Sequence, residues 1–384
     1  MPVKPSITRV FIVIGLGVAF IGAALILRGP ILSSIDRLEN AAIAVKANGD
    51  VATAFGKHRL NVLVLGNQAD EGTSDTMILA HLDLDRHLAT LVSIPRDTWV
   101  DVPRYGWMKI NSAIGAGGPQ LSATVVSALL GAPIDAIMVV RPEGAKQLVD
   151  AMGGLNVNVE HDMNYDDNWG NLHIHLKKGE QYLTGGQVLD YMRYRGDADG
   201  DFGRMRRQQQ VVREIAREMS RPSQWSKLPH LVQLARQDVI TKLSDKQLEA
   251  LIEVYRSVDA DDVRALTLPS RVGSVGDASV VFVDERWAKL IGKLLFSRDA
   301  PPQDDMLVAN ASGDVSLDKT LVGALRGGGW NVQTFVDQKA VAESEIVGST
   351  PTADELSRAL PPIKRHDGRS TVLRIGADLL PNPG

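Results

Sequence analysis

From Arg59 onward, short apolar runs of strand length alternate with stretches of helical periodicity. That alternation confines the chain to α/β architectures, because each half-apolar strand needs a helix to cover it. "RLNVLVLGN" reads as a strand ending in a turn at Gly66. "DTMILAHLDLD" and "LATLVSIPRDTWVDV" predict two more strands, joined across "DRH". "GPQLSATVVSALLGAP" is a helix, closed by Gly131 and Pro133. "IDAIMVVRPEGAKQLVDAMGGLNVNV" reads strand, helix, turn, strand. "TGGQVLDYM" is a short helix and "GRMRRQQQVVREIAREMSRP" a longer one stopped at Pro222. Helices follow in "LPHLVQLARQ" and "SDKQLEALIEVYRSV", then strands in "VRALTLPS" and "ASVVFVDE", then the helix "ERWAKLIGKLLF". The expectation is a three-layer α-β-α sandwich with a central mixed sheet over residues 59–296. Residues 297–305, "SRDAPPQDD", are a linker by composition. Residues 306–384 predict a second, small α/β domain of strand, helix, strand and final strand.

Ahead of this lies an unbroken apolar run, Val10 to Leu27, of the length that spans a bilayer as a helix. Residues 1–28 are expected to be a cytoplasmic tip and transmembrane anchor. Lys4 and Arg9 precede the run, which places the N-terminus in the cytoplasm and the main domains outside. A cleaved signal peptide is the competing reading. The run is longer than a usual signal core, and no small-x-small cleavage site follows it. Residues 29–58 predict a juxtamembrane helix, apolar at Ile35, Leu38, Ala42 and Val45. The net charge of −4 excludes a general nucleic-acid binder. The absence of cysteine excludes disulfides, thiolate metal sites and a cysteine nucleophile.

Fixed positive charge is concentrated in "YMRYRGDADGDFGRMRRQQ", Tyr191 to Gln209. Read as an extended segment, it points Arg193 and Arg195 to one face. On the helix that starts near Gly203, Arg204, Arg207 and Gln208 fall on one side. Guanidinium forks match phosphate geometry and stay charged, so two such pairs facing each other suit a diphosphate. A solvated, salt-bridged helix edge is the bland alternative, its ion pairs contributing little. A second cluster is "SIPRDTWVDVP" with "MKINSA". Arg96 and Asp97 follow a strand's carboxyl end, where open α/β sheets bind ligands, and Lys109 lies a short loop later. Asp75 in "SDTMIL" opens a strand beside the Gly66 turn, either as a hard-cation ligand or as a turn carboxylate. His173 and His175 in "HIH" lack a third ligand at zinc spacing and read as surface histidines.

Taken together, these stretches resemble the LytR–CpsA–Psr family. The likeness is carried, in order, by "NVLVLGN…SDTMIL", "LVSIPRDTWVDVP", "KINSA", "VDAMGGLNVNV" and "LTGGQVLDYMRYR…DFGRMRRQQ". The resemblance implies a membrane-anchored, extracytoplasmic, magnesium-dependent phosphotransferase. Its partners would be a polyprenyl-pyrophosphate-linked glycan, peptidoglycan and membrane lipid, with no nucleic acid. Arg96, Lys109, Arg193, Arg195, Arg204, Arg207 and Gln208 would contact the pyrophosphate, with Asp97 in the catalytic group and Asp201 supporting the arginines. Asp75 would ligate Mg2+ with Asp70, since Gln68 occupies a position that is usually acidic. Either Asp70 substitutes, or metal affinity is weaker, or the chain is a non-catalytic binder of lipid-linked glycans; a pyrophosphatase using water as acceptor in the same pocket is a separate rival. A transcription regulator is the remaining rival; the anchor and the acidic balance count against it.

Overall fold

The computed structural model describes residues 53–380, except 68–71, 87, 169–171, 195, 197–199, 221–238, 245, 248–250, 252–262, 298, 315–317 and 337–339. The expected anchor, nearly all of the juxtamembrane helix, and the helices expected in "LPHLVQLARQ" and most of "SDKQLEALIEVYRSV" lie outside the described residues.

The first part of the chain runs β1 (Arg59–Asn67), β2 (Ser74–Asp83), β3 (Leu88–Ile94), β4 (Trp99–Val102), β5 (Gly106–Lys109), α1 (Ala113–Leu130), β6 (Ala136–Val140) and α2 (Pro142–Met152). It continues through β7 (Leu155–Val159), β8 (Met163–Asp167), β9 (Leu172–Leu176), β10 (Gly179–Leu183), α3 (Gly185–Arg193) and α4 (Gly200–Ser220). β11 (Val239–Thr241), β12 (Val263–Thr267), β13 (Ser270–Val275), β14 (Ala278–Val283) and α5 (Glu285–Leu295) complete it. Six of these strands form one mixed sheet in the order β11-β6-β1-β2-β3-β12. β1, β3, β6 and β12 run parallel, and β2 and β11 run against them. The carboxyl ends of four strands and the start of β2 therefore share one edge.

Alternation along the strands divides the core between the two faces. Val62, Val64, Ile78, Ala80, Met138 and Val140 pack with α2, α3 and α4. Leu63, Leu65, Met77, Leu79, Val92 and Val139 pack with α1 and α5. Among the described residues, one helix, Ile110–Leu130, is long and apolar enough to cross a membrane. It contains a break at Gly117 and Gly118, and Val125, Val126, Leu129 and Leu130 are buried in the second of these cores.

The chain ends in a second sheet. Its elements are β15 (Met306–Asn310), α6 (Gly323–Gly327), β16 (Val332–Val336), β17 (Glu345–Val347), α7 (Pro351–Ala359), β18 (Lys364–His366) and β19 (Thr371–Ile375). The strand order is β16-β15-β19-β17-β18. The linker composition of 297–305 suggests an independent unit, but the two parts share one core. Trp287, Leu294, Val308, Leu325 and Leu373 belong to a single buried cluster. The Trp330 indole donates to Leu294 O at 3.1 Å, and the Trp287 indole donates to Leu379 O at 2.9 Å.

A buried polar network also crosses this junction. Arg59 donates from Nη2 to Gly328 O at 2.6 Å and to His81 Nε2 at 2.9 Å. The imidazole proton therefore sits on Nδ1, which donates to Asn61 Oδ1 at 2.7 Å. Burial, and then the Arg59 charge, holds His81 well below its ordinary pKa. A base depressed in the folded state binds protons mainly when unfolded, so its contribution to stability is present above about pH 6.5 and is lost below it. Between pH 7.5 and 5.5, urea denaturation is expected to show a loss on the order of 1 kcal/mol from this group. His81→Gln is expected to flatten that part of the profile. An unchanged profile would show that the network does not couple to protons.

Candidate active site at the carboxyl edge

The turn after β3 is fixed before any ligand is considered. Thr98 N donates to Pro95 O at 3.1 Å, closing "PRDT" on itself. Val281 N donates to Asp97 O at 2.8 Å, and Asn111 N to Arg96 O at 3.1 Å. With its backbone held on both sides, the turn presents its side chains together. Asp97 Oδ1 lies 3.0 Å from Lys109 Nζ, and Asp97 Oδ2 lies 3.5 Å from Arg96 Nε. Arg96 and Asp97 keep 10% and 16% of their side-chain surface, and Lys109 keeps 31%. One carboxylate thus orients two cations at the edge while leaving Lys109 open to a ligand.

α3 begins with a capping box between Thr184 and Gln187. Val188, Tyr191 and Met192 then bury one helical stripe. This corrects the expectation of an extended "YMRYR". The helix continues through Arg193, and extended geometry begins at Tyr194. Arg193 is half-buried at the helix end, one turn after Asp190, whose carboxyl is raised by burial and pulled back by Arg193. α4 begins at Gly200, earlier than Gly203.

The α4 side chains turn inward. Arg204 is 2% exposed, Arg207 is 0% and Gln208 is 7%. Arg206 faces solvent. Arg207, expected as a phosphate contact, is fully enclosed. Its Nη2 donates to Tyr194 O, and its guanidinium lies 5.5 Å from the Tyr194 ring centroid. That bond and ring contact tie the Arg207 fork to the α3–α4 junction. Arg207→Met should therefore lower stability by about 1–3 kcal/mol through the orphaned carbonyl. Denaturation with an unchanged m-value checks this; wild-type stability would reject the clamp.

Gln208 carries a buried Nε2 with no hydrogen-bond partner among the described residues. The hydroxyls of Ser74 and Thr76 are in the same condition. Sequence reasoning missed Arg141. It follows the last residue of β6, beside the end of β1, and stands at the N-cap position of α2; its buried Nε likewise has no partner among the described residues. Its only signal in the sequence was its place after an apolar strand.

Asp75 does more than open β2. Gly66 pairs with Thr76 and Asn67 with Ser74, so Asp75 is the extra residue of a β-bulge. Bulges re-aim side chains at functional edges. The Asp75 side chain, Asp70, Gln68, Arg195 and the Asp201 side chain lie outside the described residues. Mg2+ would ask of this set one or two carboxylates plus phosphate and water oxygens, and the buried Ser74 and Thr76 hydroxyls, without partners among the described residues, stand on either side of Asp75 in sequence. His173 and His175 share Asp166 on an exposed ribbon, at 2.7 and 3.2 Å.

The mixed sheet and the Arg96–Asp97–Lys109 cluster at its carboxyl edge define an α/β protein with a charged candidate site. The chain belongs to the LytR_cpsA_psr family, whose model matches residues 35–293. It is 33% identical over 216 residues to the regulatory protein MsrR of Staphylococcus aureus, covering 55% of this chain and 64% of that one. It is 33% identical over 203 residues to TagU of Bacillus mycoides, named a polyisoprenyl-teichoic acid–peptidoglycan teichoic acid transferase, covering 52% and 65%. The chain thus spans just under two thirds of these curated relatives. The crystal structure of B. subtilis TagV is similar at 27% identity and TM-score 0.50, covering 59% of this chain and 91% of that one.

Proposed function

We propose that this chain is a membrane-anchored, extracytoplasmic phosphotransferase that moves a glycan phosphate from a polyprenyl-diphosphate carrier to a peptidoglycan hydroxyl. The observation that carries the reading is the Arg96–Asp97–Lys109 cluster, held by backbone bonds at the ligand-binding edge of the sheet. Family membership and the name of the TagU relative support the same reaction class.

In this reading Arg96, Lys109, Arg193, Arg195, Arg204 and Gln208 hold the diphosphate, and Arg141 adds a cation at the end of β6. The acceptor oxygen bonds to the glycan-linked phosphorus. The bond from that phosphorus to the bridging oxygen breaks, and polyprenyl phosphate leaves with the electron pair. The acceptor proton passes to a carboxylate of the same edge, Asp97 or Asp75. Catalysis is then positioning and charge stabilisation by preorganised guanidinium groups. Asp75 and Asp70 would hold Mg2+, which when bound neutralises charge on the phosphate oxygens. Asp97 keeps Arg96 and Lys109 aimed whether or not it takes the proton.

The test is incubation of the full chain with a polyprenyl-diphosphate-linked glycan and peptidoglycan. Covalent glycan on peptidoglycan with release of polyprenyl phosphate is expected. Hydrolysis without acceptor product would make it a pyrophosphatase. Retention of intact donor would make it the binder that Gln68 suggests.

A further inference from the structure

We propose that the cleft beside the Arg96–Asp97–Lys109 cluster is a saccharide subsite for the acceptor glycan strand, with Trp107 as its stacking platform. This rests on the transferase reading and specifies where its second substrate lies. In the β4–β5 ribbon, Trp99 pairs with Lys109 and Asp101 with Trp107. Directly paired residues share a face, so both indoles, Asp101 and Lys109 lie on one side of the ribbon. The opposite side is core, with Val100 and Val102 buried. Trp107 nevertheless keeps 59% of its surface in water.

The ribbon borders a cleft of about 450 Å³ whose walls include Thr98, Trp99, Val100, Trp107, Leu129, Phe282 and Glu285. Small-molecule sites typically fall between about 300 and 1,000 Å³ and combine aromatic walls with a few polar groups. The cleft adjoins the cluster through the chain. Thr98 and Trp99 follow Asp97 directly, and Val281, the residue before Phe282, donates to Asp97 O at 2.8 Å.

The lining selects the ligand. A sugar ring offers apolar C–H faces to indole and phenyl surfaces, and hydroxyl donors to carboxylates at the rim. Glu285 and Asp101 are exposed acids on this side. With Lys109 on the same face and the Arg271 guanidinium 4.5 Å from the Phe282 ring centroid, the rim carries both signs of charge and offers partners to the hydroxyls of a neutral sugar. The cleft and the α3–α4 part of the donor site lie on different faces of the sheet. The cleft is built with α1, β14 and the start of α5, whereas Arg193, Arg204 and Gln208 are carried by α3 and α4 on the other face. In-line transfer places the attacking and leaving oxygens on opposite sides of phosphorus.

The probe is the β-1,4-linked N-acetylglucosamine tetramer, titrated calorimetrically into the full chain. Saturable binding is expected, weakened by about tenfold or more in Trp107→Ala and largely kept in Trp107→Phe. Arg193→Ala should bind the tetramer like wild type. In the transfer assay, Trp107→Ala should raise the acceptor KM about tenfold and leave the donor KM unchanged. No saturable binding, equal binding in Trp107→Ala, or a shift in donor KM alone would overturn the subsite. Calorimetry needs no turnover, so the two readings fail separately. Sugar binding without transfer removes the reaction. Transfer with an unaltered acceptor KM in Trp107→Ala removes the subsite. Because Trp107 is exposed, the variant should fold, and a wild-type melt confirms it.

Discussion

Arg193→Ala is expected to lower kcat for glycan transfer by at least about 10²–10³-fold, the loss seen when one preorganised donor to developing charge is removed. The melt should barely move. Arg193 is the last residue of α3, only half-buried, and alanine has a high helix propensity. The helix is held by its capping box and by Val188, Tyr191 and Met192, none of which the substitution touches. Arg193→Lys separates charge from shape: it keeps a point cation but loses the planar fork, so partial activity is expected. Arg206→Ala is the control, since Arg206 faces solvent from the same charged stretch. It should transfer at nearly the wild-type rate. Full activity in Arg193→Ala would remove this arginine from the site.

Much of this was legible because strands and helices bury one face each. The alternation in "RLNVLVLGN" and "DTMILAHLDLD" gave strands that do pair, Leu63 against Leu79 and Val62 against Ala80. "PRD" after β3 marked a turn at a sheet edge, and Arg96, Asp97 and Lys109 do meet there. What failed depended on tertiary context. "YMRYR" alternates like a strand, yet the Thr184–Gln187 box starts a helix that the core of α2 and α4 favours through Arg193. An arginine's spacing cannot reveal that Arg207 is buried against Tyr194 while Arg206 reaches water. Asp75 could not be read as a bulge because the extra residue is defined only against β1. The composition of 297–305 suggests a tether, but the Trp287 and Trp330 contacts that tie the two sheets together come from residues distant in sequence.

That continuity makes Gly292 the most sensitive position in the packing between α1 and α5. A Cβ placed there would lie 1.6 Å from Leu130 O, a backbone carbonyl at the end of α1. No rotamer change relieves such a contact. The carbonyl is also poorly placed to retreat. Gly131 closes α1 at φ 61°, and Asn61 Nδ2 donates to both Pro133 O at 2.9 Å and Phe296 O at 3.0 Å, fastening the segments after the two helices to β1. Gly292→Ala must therefore push α5 off α1, and α5 carries Trp287 and Leu294 into the core shared with the second sheet. Overpacking a tight contact costs about 1–3 kcal/mol, and a fixed backbone collision belongs at or above the top of that range. The helix-propensity gain of alanine over glycine, about 1 kcal/mol, offsets only part of it. A net loss of at least about 2 kcal/mol in urea denaturation is expected. Gly186→Ala isolates the propensity effect, because a Cβ there meets nothing nearer than Thr184 Oγ1 at 4.0 Å. That variant should be neutral or slightly stabilised. If Gly292→Ala behaved the same way, the α1–α5 contact would not be the tight joint between the two sheets.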